Sequence, residues 1–261
     1  MTRQSEYKDA FNQFGVKIYK STVPIALKEV AENPKEYRHF ILDTVFEPTK
    51  VNLRTPLKLN PQDRLQVDIF FAYKEILQSF RALKDSEFYL GCYKKYPGFK
   101  RHGIPHSQYV SYHVEKWLSE CYVLHERLVR AFKRLQRQLK YNSSLVSLLD
   151  KNIFTFKTSL KSIIEIRGKH THEVRFSDPE IERMESIELM SKKIRKKIWK
   201  AYVQDLLYED ASHAWQSRIR KNNKAINSVL DSIFHDIAKI IFQPDGKLIG
   251  EGKRQQEPLV R

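Results

Sequence analysis

This chain has little that breaks a helix or staples a loop. Glycine occurs 8 times and cysteine twice in 261 residues. Cys92 and Cys121 form neither a disulfide framework nor a CxxC pair. That excludes a disulfide-stapled scaffold and a cysteine-built zinc module, and two buried free thiols are expected. No apolar run approaches the ~20 residues of a membrane span. The stretch MTRQSEYKDAF lacks a signal peptide's apolar core. Without an export signal, the expected home is a reducing cytoplasm with no membrane contact. Helices tolerate glycine and proline poorly, so 8 Gly and 10 Pro favour an all-helical chain.

What is abundant is positive charge. The net charge is +16, with 41% hydrophobic and 12% aromatic residues. That much apolar material can bury a core, so the chain is globular rather than disordered. A field of this size attracts polyanions, and Lys and Arg contacts to phosphate supply non-specific nucleic-acid affinity. Nucleic acid is the expected partner, against the plain alternative of a basic soluble protein.

Helical periodicity organises most of the sequence. Residues 1–60 carry Phe11, Phe14, Ile18, Ile25, Leu27 and Val30, and Pro24, Pro34, Pro48 and Pro56 predict short helices there. A long helix is expected from Pro61, with Leu65, Ile69, Tyr73, Ile76, Phe80 and Leu83 inward. A loop, GCYKKYPGFKRHGIPH, spans residues 91–106; it is basic and aromatic, and reads as a crossover or a base-stacking loop. Ser107 can cap a helix to about Lys140, with Val110, Val114, Trp117, Cys121, Leu124, Leu128, Ala131 and Leu135 at steps of 4 and 3. Beside that stripe run Arg127, Arg130, Arg134 and Arg137, either a solvated face or a rail for phosphates.

Ser143 can cap a third helix, whose stripe Val146, Leu149, Ile153, Phe156, Leu160, Ile163 continues onto Arg167. An arginine in that position faces the bundle or a partner and needs an anion or other acceptors. Gly168 then suits a helix C-cap. Ser177 and Glu180 fit a capping box with Pro179 at the first helical position. Helices are expected over about 179–207 and 212–242, the first carrying the basic run SKKIRKKIWK. Residues 243–261 read as a loose tail. The expected architecture is an all-α, up-and-down bundle of about five long helices over 61–242, preceded by a short-helix extension over 1–60.

One spacing stands at a helix junction. EIRGKHTHEVRF, residues 165–176, holds Arg167, four residues, then His172. With 18 Arg and 9 His in 261 residues, this spacing is expected about 0.6 times by chance. It occurs twice. The other match, RHGIPH from Arg101 to His106, sits in the loop, where Gly103 and Pro105 fix no helical geometry.

A helical bundle with Arg, four to six residues and His at a helix junction resembles the HEPN superfamily (higher eukaryotes and prokaryotes nucleotide-binding). IIEIRGKHTHE, residues 163–173, is similar to that family's signature, and the architectural likeness covers roughly 62–242. The resemblance implies a metal-independent endoribonuclease of toxin or antiviral-defence type. It also implies a homodimer whose Arg and His meet in a composite site, sometimes neutralised by an antitoxin or nucleotidyltransferase partner. On that basis Arg167 and His172 are the catalytic pair, and no cofactor is required. Family members often have a polar residue after the arginine, where this chain has Gly168. The superfamily also holds members that only bind RNA, nucleotides or partner proteins, so a non-catalytic module is the alternative. An unrelated basic helical nucleic-acid-binding protein is the third reading.

The chemistry suits the residues. RNA carries its own nucleophile, the 2′-hydroxyl. His172 can move protons near neutrality, and Arg167 can grip phosphate with two donors. Lys169, His170, Arg175, Arg127, Arg130 and Arg134 are candidate phosphate contacts. Glu173 is placed to orient a histidine, and Glu115 and Glu120 are candidate carboxylate partners for the arginine. His170, His172 and Glu173, or His102 and His106, are weak metal-ligand candidates, since HxH without further ligands specifies little; no metal is expected.

Overall fold

The computed structural model describes residues 9–32, 61–140, 142–172, 178–190 and 197–242. The chain is an all-α helical bundle. Seven α-helices are present among the described residues: α1 (Ala10–Glu32), α2 (Pro61–Leu90), α3 (Pro97–Arg101), α4 (His106–Gln138), α5 (Ser143–His172), α6 (Pro179–Met190) and α7 (Lys197–Ile241), with a 3-10 turn at Tyr93–Lys95. No described helix is long and apolar enough to cross a membrane. The helices group into two compact units. One comprises Met1–Lys74, Arg134–Leu148 and Asp231–Arg261, the other Glu75–Lys133 and Leu149–Leu230.

The first unit is built round aromatic rings. Phe11 and Phe14 of α1 both meet Tyr73 and Phe234, at centroid separations from 4.9 to 5.7 Å. The start of α1 is anchored by the Phe11 N–H, which donates to the Asp231 carboxylate at 2.9 Å. A carboxylate at a helix N-terminus satisfies an orphan donor and meets the positive end of the helix dipole. Gly15 sits where the Tyr73 ring crosses α1; a Cβ there would lie 2.2 Å from the Tyr73 hydroxyl oxygen. Where short helices were expected, Ala10–Glu32 is a single helix with Pro24 inside it. Pro24 is exposed, on the outer face of the helix.

The second unit follows the predicted stripes. The seven stripe residues of α4 in this unit, from Val110 to Ala131, are buried, as is Leu135 in the first unit. Burying a side chain of Leu size contributes about 2 kcal/mol, so such a stripe outweighs any local propensity. Polar ties close the core. Asn223 of α7 accepts the Trp117 indole N–H at 3.0 Å and donates to the Leu83 carbonyl at 3.2 Å. The Tyr208 and Ser212 hydroxyls both donate to the Leu90 carbonyl, at 2.7 and 2.8 Å, and so cap the end of α2. This explains why α7 is continuous where a break was expected near 208–211. Tyr208, Ala211 and Ser212 are buried, and the polar look of that stretch reflects a capping task rather than a loop.

Helix starts differ from the serines that the sequence suggests. Asn142, not Ser143, caps α5: its side-chain oxygen accepts the Leu145 N–H at 3.0 Å. Asp178 caps α6 by accepting the Glu180 N–H at 3.1 Å; Ser177 lies outside the described residues. Ser107 lies inside α4, where its N–H and hydroxyl both donate to the Glu188 carboxylate of α6. In each case an amide or carboxylate oxygen with longer reach takes the role.

Candidate functional site

The Arg167-to-His172 segment belongs to one continuous helix, since α5 runs to His172. Gly168 is therefore not a left-handed cap. It lies within the helix without a positive φ, and a Cβ added there would meet nothing within 4 Å. A helical rather than left-handed glycine removes the break expected after Arg167. Positions 167 and 172 are five residues apart. At 3.6 residues per turn they are separated by about 140° round the axis and about 7.5 Å along it.

Arg167 is half-buried, on the side of α5 that the stripe predicts. Its guanidinium lies over the Tyr122 ring of α4, 4.2 Å from the centroid. Such a contact contributes on the order of 1 kcal/mol and holds a guanidinium flat against the ring. Sequence reasoning missed Tyr122. It lies next to the buried Cys121, and only the pairing of α4 with α5 reveals its role. Beyond Leu160 no described residue of α5 is fully buried; Ile163 and Ile164 are half-buried and Ile166 is exposed. The side chains of Lys169, His170 and His172, and all of Glu173 and Arg175, lie outside the described residues. So do Ile194 and Ile198 of the basic run as side chains.

The other candidates divide. Arg127 donates to the Ser79 hydroxyl at 2.8 Å and to the Glu75 carbonyl at 3.2 Å, tying α4 to α2. Arg134 pairs with Asp68 at 2.7 Å, and Gln138 shares the same carboxylate at 2.6 Å. Arg130 is exposed. Of the predicted arginine rail, two members thus hold helices together. Glu115 accepts the Ser111 hydroxyl at 3.0 Å, and Glu120 pairs with Lys116 on the same helix.

A second cluster was not foreseen. Asp178 accepts the Trp215 indole N–H at 3.2 Å and an Arg218 N–H at 3.3 Å. Arg218 also grips Glu180 at 2.7 Å and lies 4.9 Å from the Trp215 ring centroid. A hydrogen bond from Asp178, with Arg218 beside it, pulls the Glu180 carboxyl down to about 2, while burial pushes Asp178 up. The carboxylates of Asp178 and Glu180, with Trp215 and Arg218, form a structural clasp at the start of α6. His106 is buried against Tyr93 and 3.4 Å from Asp205; burial lowers its pKa more than Asp205 raises it. The RHGIPH match thus ends in a core histidine. Among the described residues no group of three or more His, Cys, Asp or Glu side chains is placed to hold a metal ion.

Comparison of the chain with family models, with curated proteins and with solved structures finds no match.

Proposed function

We propose that the chain is a metal-independent endoribonuclease that acts as a homodimer, with Arg167 and His172 contributed by both copies to one composite site. The observation that carries this reading is the placement of Arg167, a half-buried guanidinium held flat over Tyr122 at the loosely packed end of α5, five positions before His172. Positions 167 and 172 lie on different faces of α5, and two copies meeting along this end of α5 would bring one chain's arginine towards the other's histidine. The net charge of +16 supports a polyanionic substrate.

In this reading one His172 takes the proton from the 2′-hydroxyl. The 2′-oxygen attacks phosphorus, and the bond to the 5′-oxygen breaks. The second His172, entering protonated, gives its proton to the leaving 5′-oxygen. Arg167 stabilises the charge that gathers on the phosphate. The products are a 2′,3′-cyclic phosphate and a free 5′-hydroxyl. A toxin or antiviral-defence role, with or without an antitoxin or nucleotidyltransferase partner, is consistent with this activity.

A non-catalytic module that binds RNA, a nucleotide or a partner protein is the second reading. The same contact favours it, because an arginine stacked on tyrosine also serves as plain helix-to-helix cement, and Gly168 stands where active members of the resembled superfamily often carry a polar residue. An unrelated basic helical nucleic-acid binder stands third, on charge alone. The deciding experiment is cleavage of a labelled mixed-sequence RNA in EDTA by the wild type, Arg167→Ala and His172→Ala. Cleavage that both substitutions abolish with melting unchanged supports the nuclease. Cleavage that survives both, or no cleavage by the wild type, refutes it.

A further inference from the structure

A separate surface lies where α2 ends and α4 begins. Four aromatic side chains stand out there: Phe88, Tyr89, Tyr96 and Tyr112 are 49–62% exposed. They are joined through a common floor. Tyr89 stacks on His113 with centroids 5.8 Å apart and planes at 17°. Tyr112 meets the edge of the same imidazole at 5.2 Å, and Phe88 lies against Tyr89 at 5.5 Å. Beneath them His113 rests on Tyr109 at 4.4 Å, Tyr109 on Phe99 at 4.9 Å, and Phe99 on Tyr96 at 6.3 Å. Tyr109 is buried, and its hydroxyl donates to the Tyr89 carbonyl. The exposed rings thus stand on a fixed base.

We infer that this face is a stacking surface for single-stranded nucleic acid. Exposed rings on a pinned floor offer flat apolar faces at little entropic cost, and every base has a matching face. Charge selects the occupant. Lys95, Lys100 and Arg101 are exposed on the connection that carries Tyr96 and Phe99, and none has an ion-pair partner among the described residues. In a chain of net charge +16 these cations suit a phosphate backbone running beside the rings. A duplex keeps its bases stacked inside, so the surface fits unpaired strands. Tyr93, which also looks available in the sequence, is buried, with its hydroxyl donating to the Ile104 carbonyl at 2.6 Å. The inference does not depend on the cleavage reading and stands even if Arg167 and His172 are inert.

The test is fluorescence anisotropy with a fluorescein-labelled 12-nucleotide mixed-sequence RNA, its DNA counterpart and a duplex of the same sequence. The chain carries His172→Ala throughout, and gel analysis of the probe after each titration checks that it is intact. Tyr112→Ala and Tyr89→Ala are each expected to weaken single-strand binding about tenfold and duplex binding much less, while Tyr112→Phe retains affinity. Equal losses for RNA and DNA would mean that base faces alone are read; a larger loss for RNA would add a 2′-hydroxyl contact, and both uphold the surface. Alanine variants that bind single strands like the parent, with unchanged melting, overturn it. So does a Tyr112→Ala variant whose only change is a lower oligomeric state in sedimentation, since the rings would then serve a second copy of the chain.

Discussion

Replacing Gly168 by alanine gives opposite answers for the two conformations in which a glycine at a helix end is found. In a left-handed C-cap, a Cβ costs about 1 kcal/mol or more, and the variant is weaker. Gly168 instead lies inside α5, four residues from its end, with open space where a Cβ would go. Neither clash nor new packing then enters, and only the backbone preference remains. Interior Gly-to-Ala differences are about 0.8–1.0 kcal/mol, and proximity to the helix end reduces this to about 0.5. For a chain of this size that shift moves a melting midpoint by about 1–2 °C. Calorimetry on parent and variant reads the global change. Hydrogen exchange of the amides over 169–172 reads the local one, where slower exchange is expected. A lower midpoint, or faster exchange over those four amides, would refute a helix that continues through the Arg-to-His segment. It would also weaken the case for two copies sharing Arg167 and His172.

Other consequences follow from the packing. Gly15→Ala drives a methyl into the Tyr73 ring within a buried aromatic cluster and is expected to cost about 1–3 kcal/mol, read as a lower urea midpoint. Asn223→Leu leaves the buried Trp117 N–H without its acceptor; a loss of about 1–3 kcal/mol is expected in the same assay. His106 and His113 have folded-state pKa values lowered by burial from 6.5. Between those lowered values and 6.5 the unfolded chain binds more protons, so stability is complete above about pH 6.5 and falls as the pH drops below it. Urea midpoints from pH 7.5 to 5.5 should show that fall, and His113→Gln should flatten it.

The bundle was legible because its stripes are long and regular. Steps of 3 and 4 from Val110 to Leu135 leave no second arrangement, and every one of those residues is buried. Start signals were less legible because several residues within reach offer an acceptor. Ser143 stands beside Asn142, and only the fold shows which oxygen reaches the amide. Ser107 was obscured differently, since its partner Glu188 lies 81 residues away. Gly168 misled because a glycine after a periodic stripe is a good stop signal, and nothing local reports that the backbone ignores it. The place of Arg167 on the bundle side followed from periodicity, while its contact with Tyr122 did not. A stripe gives the direction of a side chain but not what the opposing helix presents.

The ties from α7 also set the order in which the chain can be finished as it is made. The Leu90 carbonyl waits for Tyr208 and Ser212, 118 and 122 residues later. The Trp117 indole N–H waits 106 residues for Asn223. The Phe11 amide waits 220 residues for Asp231. Each unit therefore stays open until its closing residues have emerged from the ribosome. Such long-range closure is unusual for helices and predicts folding slower than helix content alone suggests. Until then, the aromatic faces round Phe11 and Trp117 stay within reach of chaperones.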